Sequence, residues 1–145
     1  MTSATDTPEL DPQLPVFVYG TLRPGEKNYP GYLAGRTLCE LSGTVAGELF
    51  FVADGGYPYL QPGAGRVHGE LMVLAPHQYG ETLKCLDALE EYDSQDEANS
   101  VYLRRRTRVR LADGSERLAW VYYWNLADLV GRRIASGDFN DRPRG

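Results

Sequence analysis

The sequence predicts an α+β domain in which a mixed sheet curls into a small barrel. Three observations predict it. The chain has 145 residues, the size of one domain with one core. Short apolar runs of β type recur along it, bounded by Gly and Pro. Only one segment carries a clear helical period, so the chain is not a repeated βαβ unit.

Each element has its own justification. Residues 1–14 are polar, carry Pro8 and Pro12 and show no period, which predicts a flexible tail. One domain is expected over 15–140, with a short polar tail at 141–145. Val16-Phe17-Val18-Tyr19 is a buried strand stopped by Gly20, and Thr21-Leu22-Arg23-Pro24-Gly25 is a turn. Residues 28–38 are expected to hold a short helix or an irregular turn. Val45-Ala46-Gly47-Glu48-Leu49 is echoed by Val67-His68-Gly69-Glu70-Leu71, and both read as strands of one sheet. The Gly-, Pro- and Tyr-rich stretch between them, 54–63, is expected to be a long loop.

The helix is expected over 76–92. Pro76 suits its first turn, and Leu83, Leu86 and Leu89 place an apolar stripe on one side. From Glu81 to Glu97 the chain is acidic. Tyr102 to Leu111 then alternates with period two and sets Arg104, Arg106, Arg108 and Arg110 on one face of a strand. Asp113-Gly114 signals a hairpin into the aromatic strand Leu118 to Trp124, and a last stretch runs from Ile134 to Phe139.

Composition excludes several functions. Apolar residues at 42% and charged residues at 24% mark a globular chain. The net charge of −5 argues against nucleic acid as a partner. Two Cys, Cys39 and Cys85, are too few for a disulfide scaffold and are expected to be reduced, buried small hydrophobes. Two His, His68 and His77, form no zinc spacing, so no metal is expected. No apolar run approaches the roughly 20 residues of a membrane helix, and the N-terminus lacks the pattern of a secretory signal. A cytoplasmic protein that binds neither membrane nor nucleic acid is the expectation.

Familiar enzyme templates are missing: there is no Gly-x-Ser-x-Gly elbow, no phosphate loop and no Gly-x-Gly-x-x-Gly. His68, inside an apolar strand, reads as a packed or hydrogen-bonded histidine rather than a base. Two features remain. Tyr19-Gly20-Thr21-Leu22 is either an ordinary strand exit or a nest of backbone N–H groups that holds an anion. Glu90 falls near the apolar side at the helix end, and is either a solvated carboxylate or one whose burial makes it a base near neutral pH. The Arg face reads as a solvated surface pairing with the acidic segment, not as a nucleic-acid face. Arg105, on the other face, is expected to snorkel to the edge or to pair with a buried carboxylate.

Together these motifs resemble the γ-glutamylcyclotransferase-like family, which includes γ-glutamylamine cyclotransferase and AIG2-like proteins. The resemblance is carried by Phe17-Val18-Tyr19-Gly20-Thr21-Leu22-Arg23-Pro24-Gly25, by Gly56-Tyr57-Pro58 and Val67-His68-Gly69-Glu70-Leu71, by Leu86-Asp87-Ala88-Leu89-Glu90 with Tyr102-Leu103-Arg104, and by Ala119-Trp120-Val121-Tyr122 with Ile134-Ala135-Ser136-Gly137-Asp138. It spans about residues 16–139.

The resemblance implies a small barrel flanked by a few helices. It implies an enzyme, of transferase or lyase type and without a cofactor, that cyclises a small γ-glutamyl amide to 5-oxoproline and frees an amine. It further implies Glu90 as general acid/base, and Tyr19, Gly20, Thr21, Leu22 and Tyr122 as substrate-binding residues. Whether Tyr122 or Tyr123 faces the site stays open, as do the leaving amine and the oligomeric state. Many relatives carry Gly after the catalytic Glu, where this chain has Glu91. Tyr57, Pro58 and Tyr59 are expected to select the leaving amine. The alternatives are a catalytically silent ligand-binding domain on the same scaffold, a related acyl-removing enzyme of a biosynthetic pathway, and an interaction module using the Arg face.

Overall fold

The computed structural model describes residues 13–128 and 131–143. Its elements are β1 (Val16–Val18), α1 (Tyr29–Tyr32), β2 (Thr37–Val52), β3 (Tyr57–Leu74), α2 (Tyr79–Leu89), β4 (Tyr102–Leu111), β5 (Glu116–Trp124) and β6 (Arg132–Arg133). Three 3₁₀ turns, at Pro76–Gln78, Glu97–Asn99 and Phe139–Asp141, complete the set. The strands run in the order β3-β1-β5-β4-β2, and β2 pairs again with β3, so the sheet closes into a five-stranded barrel. β1 lies antiparallel to β3 and parallel to β5, which makes the sheet mixed. Short β6 adds to β2 outside the closed ring.

The alternation of the strands sorts side chains into two cores. Phe17, Tyr19, Val45, Leu49, Leu60, Val67, Leu71, Val109 and Val121 fill the barrel, with Ile134 and Phe139 packed among them. Val16, Val18, Met72, Tyr122 and Trp124 point outward and are covered by Leu86 of α2 and by Leu33 beyond α1. β1 shows the rule in three residues: Phe17 goes in, Val16 and Val18 go out. The two echoed segments face each other, with Val45 opposite Val67. Gly69 permits a close approach, since a Cβ there would lie 2.0 Å from the Val18 carbonyl oxygen.

Several expectations need correction. The stretch 54–63 is not a long loop: a tight turn precedes Tyr57, and β3 pairs with β2 over Tyr57–Gln61 and again from Arg66, with an irregularity between. The helix is shorter than 76–92, with a 3₁₀ turn at its start and its end at Leu89. Of the two outcomes expected for Arg105, it reaches the surface, where it pairs with Glu97 at 2.8 Å. Arg104 is less solvated than its stripe suggested, because it folds inward onto Asp87. His68 is exposed rather than packed, Cys39 is exposed and Cys85 half-buried. Of the tail expected over 1–14, residues 1–12 lie outside the described residues, and Leu14 is buried. At the other end, 144 and 145 lie outside them, and Arg142 pairs with Glu26. No helix among the described residues is long and apolar enough to cross a membrane.

Candidate active site

A cavity of about 280 Å³ opens where the exit of β1, the start of β3, the end of α2 and strands β4 and β5 converge. It is large enough for a small polar metabolite rather than a polymer. Tyr19, Gly20, Thr21, Leu22, Glu90 and Tyr122 all line it, although they are separated by up to about a hundred residues of chain.

Glu90 is placed there by the way α2 ends. It is the C-cap residue, and its N–H still bonds to the Leu86 carbonyl at 3.0 Å. Glu91 N–H then bonds to Ala88 O at 3.2 Å, and Tyr92 N–H to Asp87 O at 2.9 Å. That pair of bonds is a Schellman stop, which needs a left-handed residue after the cap. Glu91 is that residue, with φ of 54°. The position where many relatives carry Gly is therefore the one whose backbone favours Gly. The Glu90 side chain accepts no hydrogen bond from any described residue and faces the cavity. Burial, with smaller contributions from the charges of Asp87 and Glu91, pushes its pKa from 4.5 up to about 7.

Opposite lies the turn that follows β1. Arg23 N–H closes it onto Gly20 O at 3.0 Å, and Asn28 clamps Thr21 twice, through its backbone N–H to O and its side-chain amide to Oγ1, each at 2.9 Å. The N–H groups of Gly20, Thr21 and Leu22 find no acceptor among the described residues. The three residues line the cavity, and free N–H groups in such a turn suit a carboxylate or a developing oxyanion. Glycine is required at position 20, because a Cβ there would stand 2.3 Å from Pro58 Cγ. The turn is anchored below by Arg23, whose Nε donates to Glu70 at 2.9 Å and whose Nη1 donates to Asp138 at 2.9 Å.

Tyrosines complete the walls. Tyr19 Oη donates to the Tyr122 carbonyl at 2.8 Å, and Tyr102 Oη donates to the Pro58 carbonyl at 2.9 Å. Tyr122 Oη donates to Asp87 Oδ1 at 2.6 Å. Burial raises the pKa of all three phenols above the usual tyrosine value, so they stay neutral. Tyr122 is the one that faces the cavity; Tyr123 packs against the barrel core and shares a hydrogen bond with Thr107.

Tyr57 and Pro58 line the cavity, but Tyr59 does not. Tyr59 is buried, stacked on Phe50 and Trp124 with centroids 5.2 and 4.5 Å away. Its hydroxyl accepts from Gly131 N–H. The expectation that it selects the leaving amine is therefore withdrawn. Asp87, Arg104 and Asn28 also shape the site, beyond the residues expected there. The i, i+3 spacing of Asp87 and Glu90 on α2 was the available signal for the first. Among the described residues no group of three His, Cys, Asp or Glu side chains is arranged to hold a metal ion.

The chain is similar to several known proteins. The chain is 34% identical over 120 residues to γ-L-glutamyl-butirosin B γ-glutamyl cyclotransferase of Niallia circulans, covering 83% of this chain and 72% of that one. Among solved structures it matches YkqA from Bacillus subtilis with a TM-score of 0.62 and 26% identity, over 86% of this chain. It spans only 39% of YkqA's length. It also matches an AIG2-like protein of Mus musculus with a TM-score of 0.59 and 25% identity, over 76% of each chain. The family model of γ-glutamyl cyclotransferase, AIG2-like proteins matches residues 16–141, and the chain belongs to that family.

Proposed function

We propose that the protein cyclises a γ-glutamyl amide to 5-oxoproline and a free amine without a cofactor, with Glu90 as general acid/base. One observation carries this reading most directly. A half-buried carboxylate without a hydrogen-bond partner shares one small cavity with a row of free backbone N–H donors. The Niallia circulans relative's name, which specifies a γ-glutamyl substrate, supports the same acyl group.

The chemistry asks for little else. A γ-glutamyl amide carries its own nucleophile, the α-amine, and its own electrophile, the γ-carbonyl. Glu90 takes a proton from the α-ammonium, which suits a base titrating near 7. The freed amine attacks the γ-carbon, and a five-membered ring closes. N–H groups of the turn Gly20-Thr21-Leu22 orient the substrate and stabilise the charge that develops on oxygen. Glu90 then returns its proton to the leaving nitrogen as the C–N bond breaks. In all, two protons leave the α-nitrogen and two arrive on the departing amine, which leaves as an ammonium ion. The cavity's main contribution is to hold an extended substrate in its folded, near-attack shape. Tyr57 and Pro58, at the wall, are placed to contact the departing amine.

The test is release of 5-oxoproline from a panel of γ-glutamyl amines and γ-glutamyl dipeptides, run for the native protein and for Glu90→Gln. The native protein is expected to turn over at least one of them. Glu90→Gln is expected to keep its circular dichroism spectrum and to lose turnover by about 10²–10⁴-fold or more. Near-native release by that variant would remove Glu90 from the mechanism.

A further inference from the structure

Two charged side chains beside the cavity have no part in the mechanism above. Asp87 lies on α2 one turn before Glu90, and Arg104 lies on β4. Arg104 Nε donates to Asp87 Oδ1 at 2.9 Å and Nη2 donates to Oδ2 at 3.3 Å. The guanidinium is fixed from behind by Trp120 and Tyr92, at 4.3 and 5.4 Å from the ring centroids. Both charges are largely withdrawn from solvent, at 15% and 21% side-chain exposure. Asp87 Oδ1 is also the acceptor of the Tyr122 hydroxyl proton at 2.6 Å.

A phenol has one proton to give. With that proton committed to Asp87, the Tyr122 oxygen offers the cavity only lone pairs. A lone pair accepts from a cation and repels an oxyanion. We propose that Asp87 and Arg104 are positioning residues that make Tyr122 a hydrogen-bond acceptor for the substrate's α-ammonium beside Glu90. This rests on the γ-glutamyl reading, since that substrate is what carries the ammonium. The cavity then has two ends of opposite character. The Gly20-Thr21-Leu22 end donates, and the Glu90–Tyr122 end accepts.

The same pair acts on the Glu90 proton. Asp87 is a like charge one turn away and raises the affinity of Glu90 for a proton. Arg104, ion-paired with Asp87 at 2.9 Å, is placed to offset that charge. The other titratable groups facing Glu90 are Glu91 beside it, Lys27 from the turn before α1, Tyr19 after β1, Tyr57 on β3, Tyr102 on β4 and Tyr122 on β5. The tyrosines are neutral where their values are displaced upward, so Asp87, Glu91, Lys27 and Arg104 are the charges available for tuning.

The proposal predicts opposite effects from its two members. The ¹³C signal of carboxyl-labelled glutamate, assigned by its loss in Glu90→Gln, reads the Glu90 titration in the substrate-free protein. Asp87→Asn is expected to lower the midpoint by about one pH unit, and Arg104→Met to raise it. Arg104→Lys, which keeps the charge, is expected to stay near the native value. The acid limb of 5-oxoproline release, from whichever γ-glutamyl amine of the panel is turned over, is expected to move in the same order. Midpoints that stay in place, or that move in one direction in both variants, would overturn the positioning role. Should Arg104→Met fail to fold, the absence of a downward shift in Asp87→Asn is enough to overturn it. 5-Oxoproline release with unmoved midpoints leaves the γ-glutamyl reading standing and removes this proposal. Opposite shifts without release from any panel member support the charge network and remove both the γ-glutamyl reading and the ammonium acceptor that rests on it.

Discussion

At the residue scale, burial at the end of α2 makes Glu90 costly to ionise. Its folded pKa of about 7 stands above the ordinary 4.5, so the folded state holds the proton more tightly than the unfolded chain. The contribution is fully present below about pH 4.5 and is lost as the pH rises through about 7. At pH 8 the ionised, poorly solvated carboxylate costs up to about 3 kcal/mol. Glu90→Gln is therefore expected to be more stable than the native protein at pH 8 and close to it at pH 5, as read from urea midpoints at both. Glu91 carries a separate cost. A left-handed backbone on a residue with a Cβ is worth about 1–2 kcal/mol, so Glu91→Gly is expected to raise the urea-unfolding free energy by about 1 kcal/mol. The candidacy of Glu90 was legible from its place on the helix, because the 3.6-residue period puts it near Leu86 and Leu83. The Asp87–Arg104 pair was not, since it joins two elements whose relative placement no local pattern encodes.

At the element scale, the informative miss is β3. Gly, Pro and Tyr over 54–63 look like loop chemistry, and locally they are. Pro58 nonetheless sits in a strand opposite Phe51. It is tolerated because β1 pairs with β3 only at Glu70, Leu71 and Met72, leaving the other side of 57–61 free of β1. A proline costs nothing on an edge that needs no donor. The echoed segments were read correctly because their alternation is dictated by the barrel interior on one side. Gly69 states the closeness of that packing. Gly69→Ala would press a Cβ to within 2.0 Å of the Val18 carbonyl. It is expected to cost about 3 kcal/mol or to leave the protein insoluble, measured by urea unfolding or by soluble yield. A full-strength Gly69→Ala protein would mean that β1 and β3 are free to separate there.

At the scale of the whole molecule, closure of the sheet does the assembling. The turn after β1 and the end of α2 are about seventy residues apart in the chain, and the ring β3-β1-β5-β4-β2 brings them to one cavity. The α+β character and the small barrel could be read from short strands and a single helix. The order of strands could not, because the parallel β1–β5 pairing is a long-range choice with no local signal. The acidic balance of −5 leaves the arginines of β4 to pair locally, as Arg104 does on one face with Asp87 and Arg105 on the other with Glu97.

The central claim is that the substrate's own amine, and not water, attacks the γ-carbonyl. Turnover of a γ-glutamyl amine in ¹⁸O-enriched water tests it directly, with the products read by mass spectrometry. The claim predicts unlabelled 5-oxoproline, equimolar with the released amine. Glutamate carrying ¹⁸O in its γ-carboxylate would contradict it.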